Sequence, residues 1–99
     1  MAVSVVTFRK GGTHEAMIAA TRKLKAAAEK NGAESVVLSN VRAGPDADQW
    51  VIRIQCTNWE TFGKAMQAGS SDPALREAVA GLDAISEVVS RRLLSGVDL

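Results

Sequence analysis

The chain's 99 residues suffice for one domain with a single modest core, since about two-thirds of the unfolded surface is buried at this length. Twelve Lys and Arg against eleven Asp and Glu, interspersed along the chain, exclude a nucleic-acid binder held by phosphate contacts. One cysteine excludes an intrachain disulfide, and no run approaches the ~20 apolar residues of a membrane span.

The opening segment MAVSVVTF carries no basic region, long apolar run or small-residue cleavage site, so the cytoplasm is the expected compartment. Val3–Phe8 is β-branched and aromatic and is broken by Arg9, Lys10, Gly11 and Gly12, which predicts a strand and a turn. Thr13 is placed to cap a helix, with Glu15 favourable at the positive end of its dipole. Met17, Ala20, Thr21, Leu24, Ala27 and Ala28 then recur at helical spacing, and Asn31-Gly32 ends the helix. Glu34–Val41 and Gln49–Cys56 read as two strands joined across a turn of Gly, Pro and Asp, hence a hairpin.

Thr57 and Glu60 match a Thr-x-x-Glu capping box, which predicts a helix to about Ala68. Its inner face is expected to hold Trp59, Phe62, Met66 and Ala65. Asp72-Pro73 opens a further helix with an apolar stripe of Ala74, Leu75, Ala78, Val79 and Leu82. A last strand is expected over Ile85–Leu94, with Ser95–Leu99 as a tail. The order β-α-β-β-α-α-β closes as a split β-α-β sheet with its helices on one face.

Alternation places Trp50, Ile52, Ile54 and Cys56 on one side of the third strand, and Val51, Arg53 and Gln55 on the other. Helices can cover one face only. The face left over still carries Val6 and Phe8, or Val3 and Val5, depending on register. An apolar face of that kind marks an interface. Association of two copies, sheet to sheet, is therefore expected.

The motifs GGTHEA, EKNGAES, AGPDADQWVIRI, TNWETFGKAM and SSDPAL, in this order and spacing, resemble the dimeric α+β-barrel superfamily. Within it the chain is similar to small bacterial NIPSNAP-like and stress-responsive barrel-domain proteins. The resemblance spans roughly residues 3 to 92. It implies one ferredoxin-like α+β domain over residues 1–99, with a four-stranded antiparallel sheet, and a homodimer whose two sheets form a barrel. It implies little chemistry.

Several residues invite a chemical role. Arg53 and Gln55, mid-strand and opposite the Trp-Ile-Ile stripe, suit an acidic or polyketide-like small molecule inside an apolar barrel. The plainer alternative for them is an interface ion pair. His14 has the chemistry of a base or metal ligand, yet it lacks an acidic or cysteine partner at ligand spacing and fits a solvated helix start. Cys56 has no neighbouring base and fits a buried structural thiol. Gly11-Gly12-Thr13 lacks the ending of a phosphate loop, Asp46 and Asp48 fit a solvated turn, Trp59 and Phe62 fit core anchors, and Arg91-Arg92 fit surface charge. No metal site and no cofactor are expected.

The leading functional expectation is a homodimeric barrel that binds a small apolar or acidic ligand, in the barrel or in the sheet–helix cleft. The alternative, implied by the superfamily, is a cofactor-free or haem-dependent monooxygenase of the antibiotic-biosynthesis type. Haem degradation is not expected, since the sole His14 stands at a helix start and tyrosine is absent. RNA recognition is excluded, because the first and third strands lack the aromatic stacking signature of an RNA-recognition domain.

Overall fold

Seven elements follow in the expected order: β1 (Ala2–Arg9), α1 (His14–Lys30), β2 (Ser35–Asn40), β3 (Trp50–Cys56), α2 (Trp59–Ser71), α3 (Pro73–Ile85) and β4 (Glu87–Ser95). The computed structural model describes residues 1–9, 12–45, 47–97 and 99. The four strands form one antiparallel sheet in the order β2-β3-β1-β4. No helix is long and apolar enough to cross a membrane, among the described residues.

Local signals set most boundaries. Thr13 caps α1, its hydroxyl accepting from the Ala16 backbone N–H at 3.1 Å. Gly32, at φ +106°, follows the last turn in a conformation that only glycine adopts without strain. A Cβ there would also lie 3.1 Å from Thr61 Cγ2. Asp72 serves two helices at once. Its backbone N–H closes α2 on the Ala68 carbonyl at 2.7 Å, and its carboxylate accepts from Ala74 N–H at 2.9 Å to open α3.

Three boundaries differ from expectation. The cap of α2 is Asn58, whose Oδ1 accepts from Thr61 N–H at 2.8 Å, and not Thr57. Thr57 instead donates to Glu34 Oε1 at 2.6 Å, which ties the end of β3 to the entry of β2 and leaves Glu60 without a capping-box partner. Ile85 belongs to α3 and not to the last strand, and Ser95 belongs to β4 and not to the tail.

Register decides the faces of β1. Ala2, Ser4, Val6 and Phe8 lie across from Cys56, Ile54, Ile52 and Trp50, the side on which the helices pack. The core there is Ile52, Val6, Phe8, Trp50 and Val36 from the sheet, closed by Met17 and Leu24 of α1, Phe62 of α2, and Leu75, Ala78 and Leu82 of α3. Each such large side chain contributes about 1.5–3 kcal/mol on burial. Ala74 and Val79 of the expected α3 stripe are exposed. On α2 only Phe62 is fully buried: Trp59 is 44% and Met66 58% exposed. Their spacing is helical, but α2 lies at the margin of the sheet, so one side chain per turn meets the core. Trp59 rests edge-on against Phe62, with ring centres 5.4 Å apart.

The helix-free face holds a second correction. Val3 and Val5 point to it, yet they are only 2% and 6% exposed within one chain. Their neighbours on the flanking strands already cover them. The large apolar side chains that remain open on this face are Val37 of β2 and Leu94 of β4, a strand exposed along its whole length.

One core position is imperfect. Thr21 of α1 is buried, and its hydroxyl has no hydrogen-bond partner among the described residues. A buried unpaired hydroxyl is unfavourable by roughly 1–3 kcal/mol, while Val has the same shape and similar helix propensity. Thr21→Val is expected to raise stability by about 1 kcal/mol, seen as a higher urea midpoint at unchanged slope. A lower midpoint would show that the hydroxyl is bonded in solution.

Candidate functional site

β4 is where the helix layer ends, and the alternation of its side chains gives each side of the sheet one arginine. On the helix side the rows run Leu38–Ile52–Val6–Arg91 and Val36–Ile54–Ser4–Leu93, and each changes from core to exposed surface as it reaches β4. Ser95, opposite Ala2, completes the helix-side row of β4. From α2, Trp59 reaches down to it, its indole N–H donating to Ser95 Oγ at 3.2 Å. Arg91 and Ser95 are four residues apart on one strand, so their Cα atoms are separated by ~13 Å, with Leu93 between. Exposed side chains thus follow one another along this margin, which we call the notch: Trp59 at Ser95, then Leu93, then Arg91. Met66, exposed on the same helix as Trp59, adds a polarisable thioether to that margin.

The helix-free side reads Ser35–Gln55–Val3–Leu94, then Val37–Arg53–Val5–Arg92, then Ser39–Val51–Thr7–Ser90. No carboxylate occurs in these three rows. Two acids at the ends of the sheet, Glu87 and Glu34, are engaged. Glu87 takes a two-pronged ion pair from Arg9, at 2.8 and 3.1 Å. Glu34 accepts from Thr57 and, at 3.4 Å, from the Gln55 amide. Those hydrogen bonds, Thr57 first and Gln55 second, hold the Glu34 carboxyl below the usual carboxylate range. Arg53, Arg91 and Arg92 form no side-chain hydrogen bond or ion pair with any described residue.

The residues singled out from the sequence are therefore divided. Arg53 and Gln55 share the helix-free face, but the Gln55 amide is tethered at its rim. His14 is on the other side: its ring meets Trp50 edge-on at 4.8 Å, where Trp50 pairs with Phe8 beneath the helices. The sheet thus separates His14 from Arg53. Arg91 and Arg92, expected to be surface charge, are exposed, and the alternation of β4 puts the two on opposite faces of the sheet.

Elsewhere the chemistry is bland. Gly11 and Asp46 lie outside the described residues, and no three His, Cys, Asp or Glu side chains gather among the described ones. Cys56 is fully buried, and burial first, then the Glu34 charge, pushes its thiol up. A thiol held protonated and covered is a poor nucleophile.

No family model matches the chain, and no curated protein does. Solved structures do, and they show the fold: a ferredoxin-like α+β domain with a four-stranded antiparallel sheet. SnoaB, a cofactor-independent oxygenase from Streptomyces nogalater, is similar at 17% identity and a TM-score of 0.75, over 99% of this chain and 94% of its own. HapK from Hahella chejuensis is 13% identical at a TM-score of 0.71, over 98% and 93%. A candidate antibiotic biosynthesis monooxygenase from Deinococcus radiodurans is 14% identical at 0.60, over 100% and 95%.

The Cys56 environment yields a direct expectation. At pH 8 the native thiol should react with a disulfide reagent at least ~100-fold more slowly than after unfolding in guanidinium, since both its raised pKa and its burial oppose attack. Equal rates in the two states would contradict this placement.

Proposed function

We propose that this protein is a cofactor-independent oxygenase of the antibiotic-biosynthesis type, acting in the cytoplasm on a planar, ionisable aromatic molecule held in the notch beside β4. The observation that carries this reading is Arg91: an exposed guanidinium without an anionic partner among the described residues, on the helix side of the sheet, in the same row of β4 as Leu93 and the Ser95 that Trp59 grips. The likeness of fold to SnoaB supports it. The motif likeness to NIPSNAP-like proteins points instead to a role without defined chemistry, and the matched structures favour the oxygenase.

Without a bound redox group, the electrons that reduce dioxygen come from the substrate. A methylene between two aromatic rings and conjugated to a carbonyl or phenol meets that need. Loss of one proton to solvent gives a delocalised anion, which the Arg91 guanidinium stabilises by charge and a forked hydrogen bond. The anion passes its electrons to dioxygen. In the balanced reaction, the methylene and one O2 give a carbonyl and one water. Trp59 and Leu93 offer apolar faces on which the rings stack.

The test is oxygen uptake by the purified protein with a hydroxylated anthrone, the simplest molecule carrying such a methylene. Uptake of one O2 per quinone formed is expected above the uncatalysed rate. Arg91→Gln should lower kcat/KM by about 100-fold, the scale of one lost charge-stabilising donor. Uptake no faster than in buffer, or unchanged in Arg91→Gln, would contradict the proposal.

We also propose that two copies associate. The open apolar side chains of β4 and Val37 favour cover by a second chain. Direct antiparallel pairing of two β4 edges about their midpoint would set Arg91 against Arg91, and like charges directly opposite are unfavourable. Packing of sheet on sheet avoids that conflict. Light scattering on a sizing column should give a dimer at 10 μM, an order-of-magnitude choice for an interface of standard size. A monomer at that concentration would contradict the association.

A further inference from the structure

Arg53 and Arg92 are not in sequence proximity, yet the register brings each of them directly opposite Val5, one from β3 and one from β4. Adjacent strands lie about 4.8 Å apart, so their Cα atoms are ~10 Å from each other with a valine between. Both side chains project from the helix-free face. Val5 is only 6% exposed although no helix lies above it. Its same-face neighbours are Val3 and Thr7 along the strand and the two arginines on either side, whose long aliphatic stems are suited to cover it. Stems that lean over Val5 bring their guanidinium heads toward one region of space.

Two guanidiniums so placed repel each other unless an anion joins them. The structure supplies none. The three rows of this face hold no carboxylate, Glu34 and Glu87 at its ends are committed to Thr57, Gln55 and Arg9, and neither arginine has a partner among the described residues. Around the pair stand Val37 and Leu94 on the outer strands, and the hydroxyls of Thr7, Ser39 and Ser90 in the next row. The surroundings are thus apolar with a few hydroxyl donors, the setting in which an arginine fork binds an oxyanion most strongly.

We infer that the helix-free face is an oxyanion-binding site in which Arg53 and Arg92 clamp one carboxylate, sulfate or phosphate group above Val5. The site is separate from the notch at Arg91, which the sheet places on its other side, and it does not rest on the oxygenase reading. In a dimer closed on this face the anion would lie in the interior and neutralise guanidiniums from both copies.

The experiment is a titration of the full chain, in its native assembly state, followed through the side-chain Nε–Hε signals of arginine by heteronuclear NMR. Sodium sulfate and sodium benzoate are the probes, with sodium chloride at matched ionic strength as control. Two arginine signals and the Val5 amide should move together and saturate at or below about 1 mM with sulfate or benzoate, and not with chloride. Arg53→Met and Arg92→Met should each weaken binding about tenfold or more, as expected for loss of a charge-assisted hydrogen-bonding pair. Tighter binding of benzoate would assign the anionic group to an organic molecule resting on Val37 and Leu94. Tighter binding of sulfate would assign it to a free inorganic oxyanion. Both support the site. Shifts that never saturate and are matched by chloride, or affinities unchanged in both variants, would overturn it.

Discussion

The pairing of β1 with β3 on one side and β4 on the other determines where every chemically useful side chain of this protein points. β1 is the central strand, buried from Ala2 to Phe8, and its alternation is transmitted to both neighbours through direct cross-strand pairs. Val6 opposite Ile52 anchors the helix side, and Val5 opposite Arg53 belongs to the other. A slip of one residue in either pairing would exchange the faces. A slip of β3 against β1 would bury Arg53 beneath the helices without a partner, at a penalty of several kcal/mol. The register is therefore held by the burial of Val6, Phe8, Trp50 and Ile52, and the placement of the arginines follows from it.

The edge strand carries this constraint to the surface. β4 is long, exposed on both faces and attached to the sheet through β1 alone in any substantial way. A strand in that position is ordinarily a liability, because its free edge invites pairing with another chain. Two adjacent arginines at its middle oppose edge-to-edge pairing of copies, and at the same time give each face of the sheet one uncommitted guanidinium. The helix side adds Trp59 and Leu93, which suit a flat apolar ring system. The other side adds Arg53 across Val5, which suits the two oxygens of an anionic group.

Much of this fold is legible in the sequence because it rests on local, periodic signals. The alternation of Trp50 to Cys56, the Thr13 cap, the Asp72-Pro73 junction and the element order need no tertiary information. Other features depend on what lies nearby in space. Asn58 and Thr57 are equally good caps by composition; the hydrogen bond from Thr57 to Glu34 on another element decides between them. Trp59 and Met66 have core-like spacing, but only the position of α2 at the sheet margin leaves them half in water. Arg53 and Gln55 could be assigned to one face from β3 alone. Joining Arg92 to Arg53, and separating His14 from both, required the register of strands distant in sequence. The last strand, expected over Ile85–Leu94, runs over Glu87–Ser95, and which face each of its arginines takes is decided by its register against β1.

The most direct test of this account is a nuclear Overhauser spectrum that reads contacts across β1 and β4. Side chains directly opposite on one face have Cβ atoms about 5 Å apart, within reach of the effect. The Val5 methyl groups should show cross-peaks to side-chain protons of both Arg53 and Arg92, and the Val6 methyl groups to those of Arg91. Cross-peaks from Arg91 to Val5, with Arg92 moved to Val6, would show the opposite register and contradict the assignment of each arginine to its face.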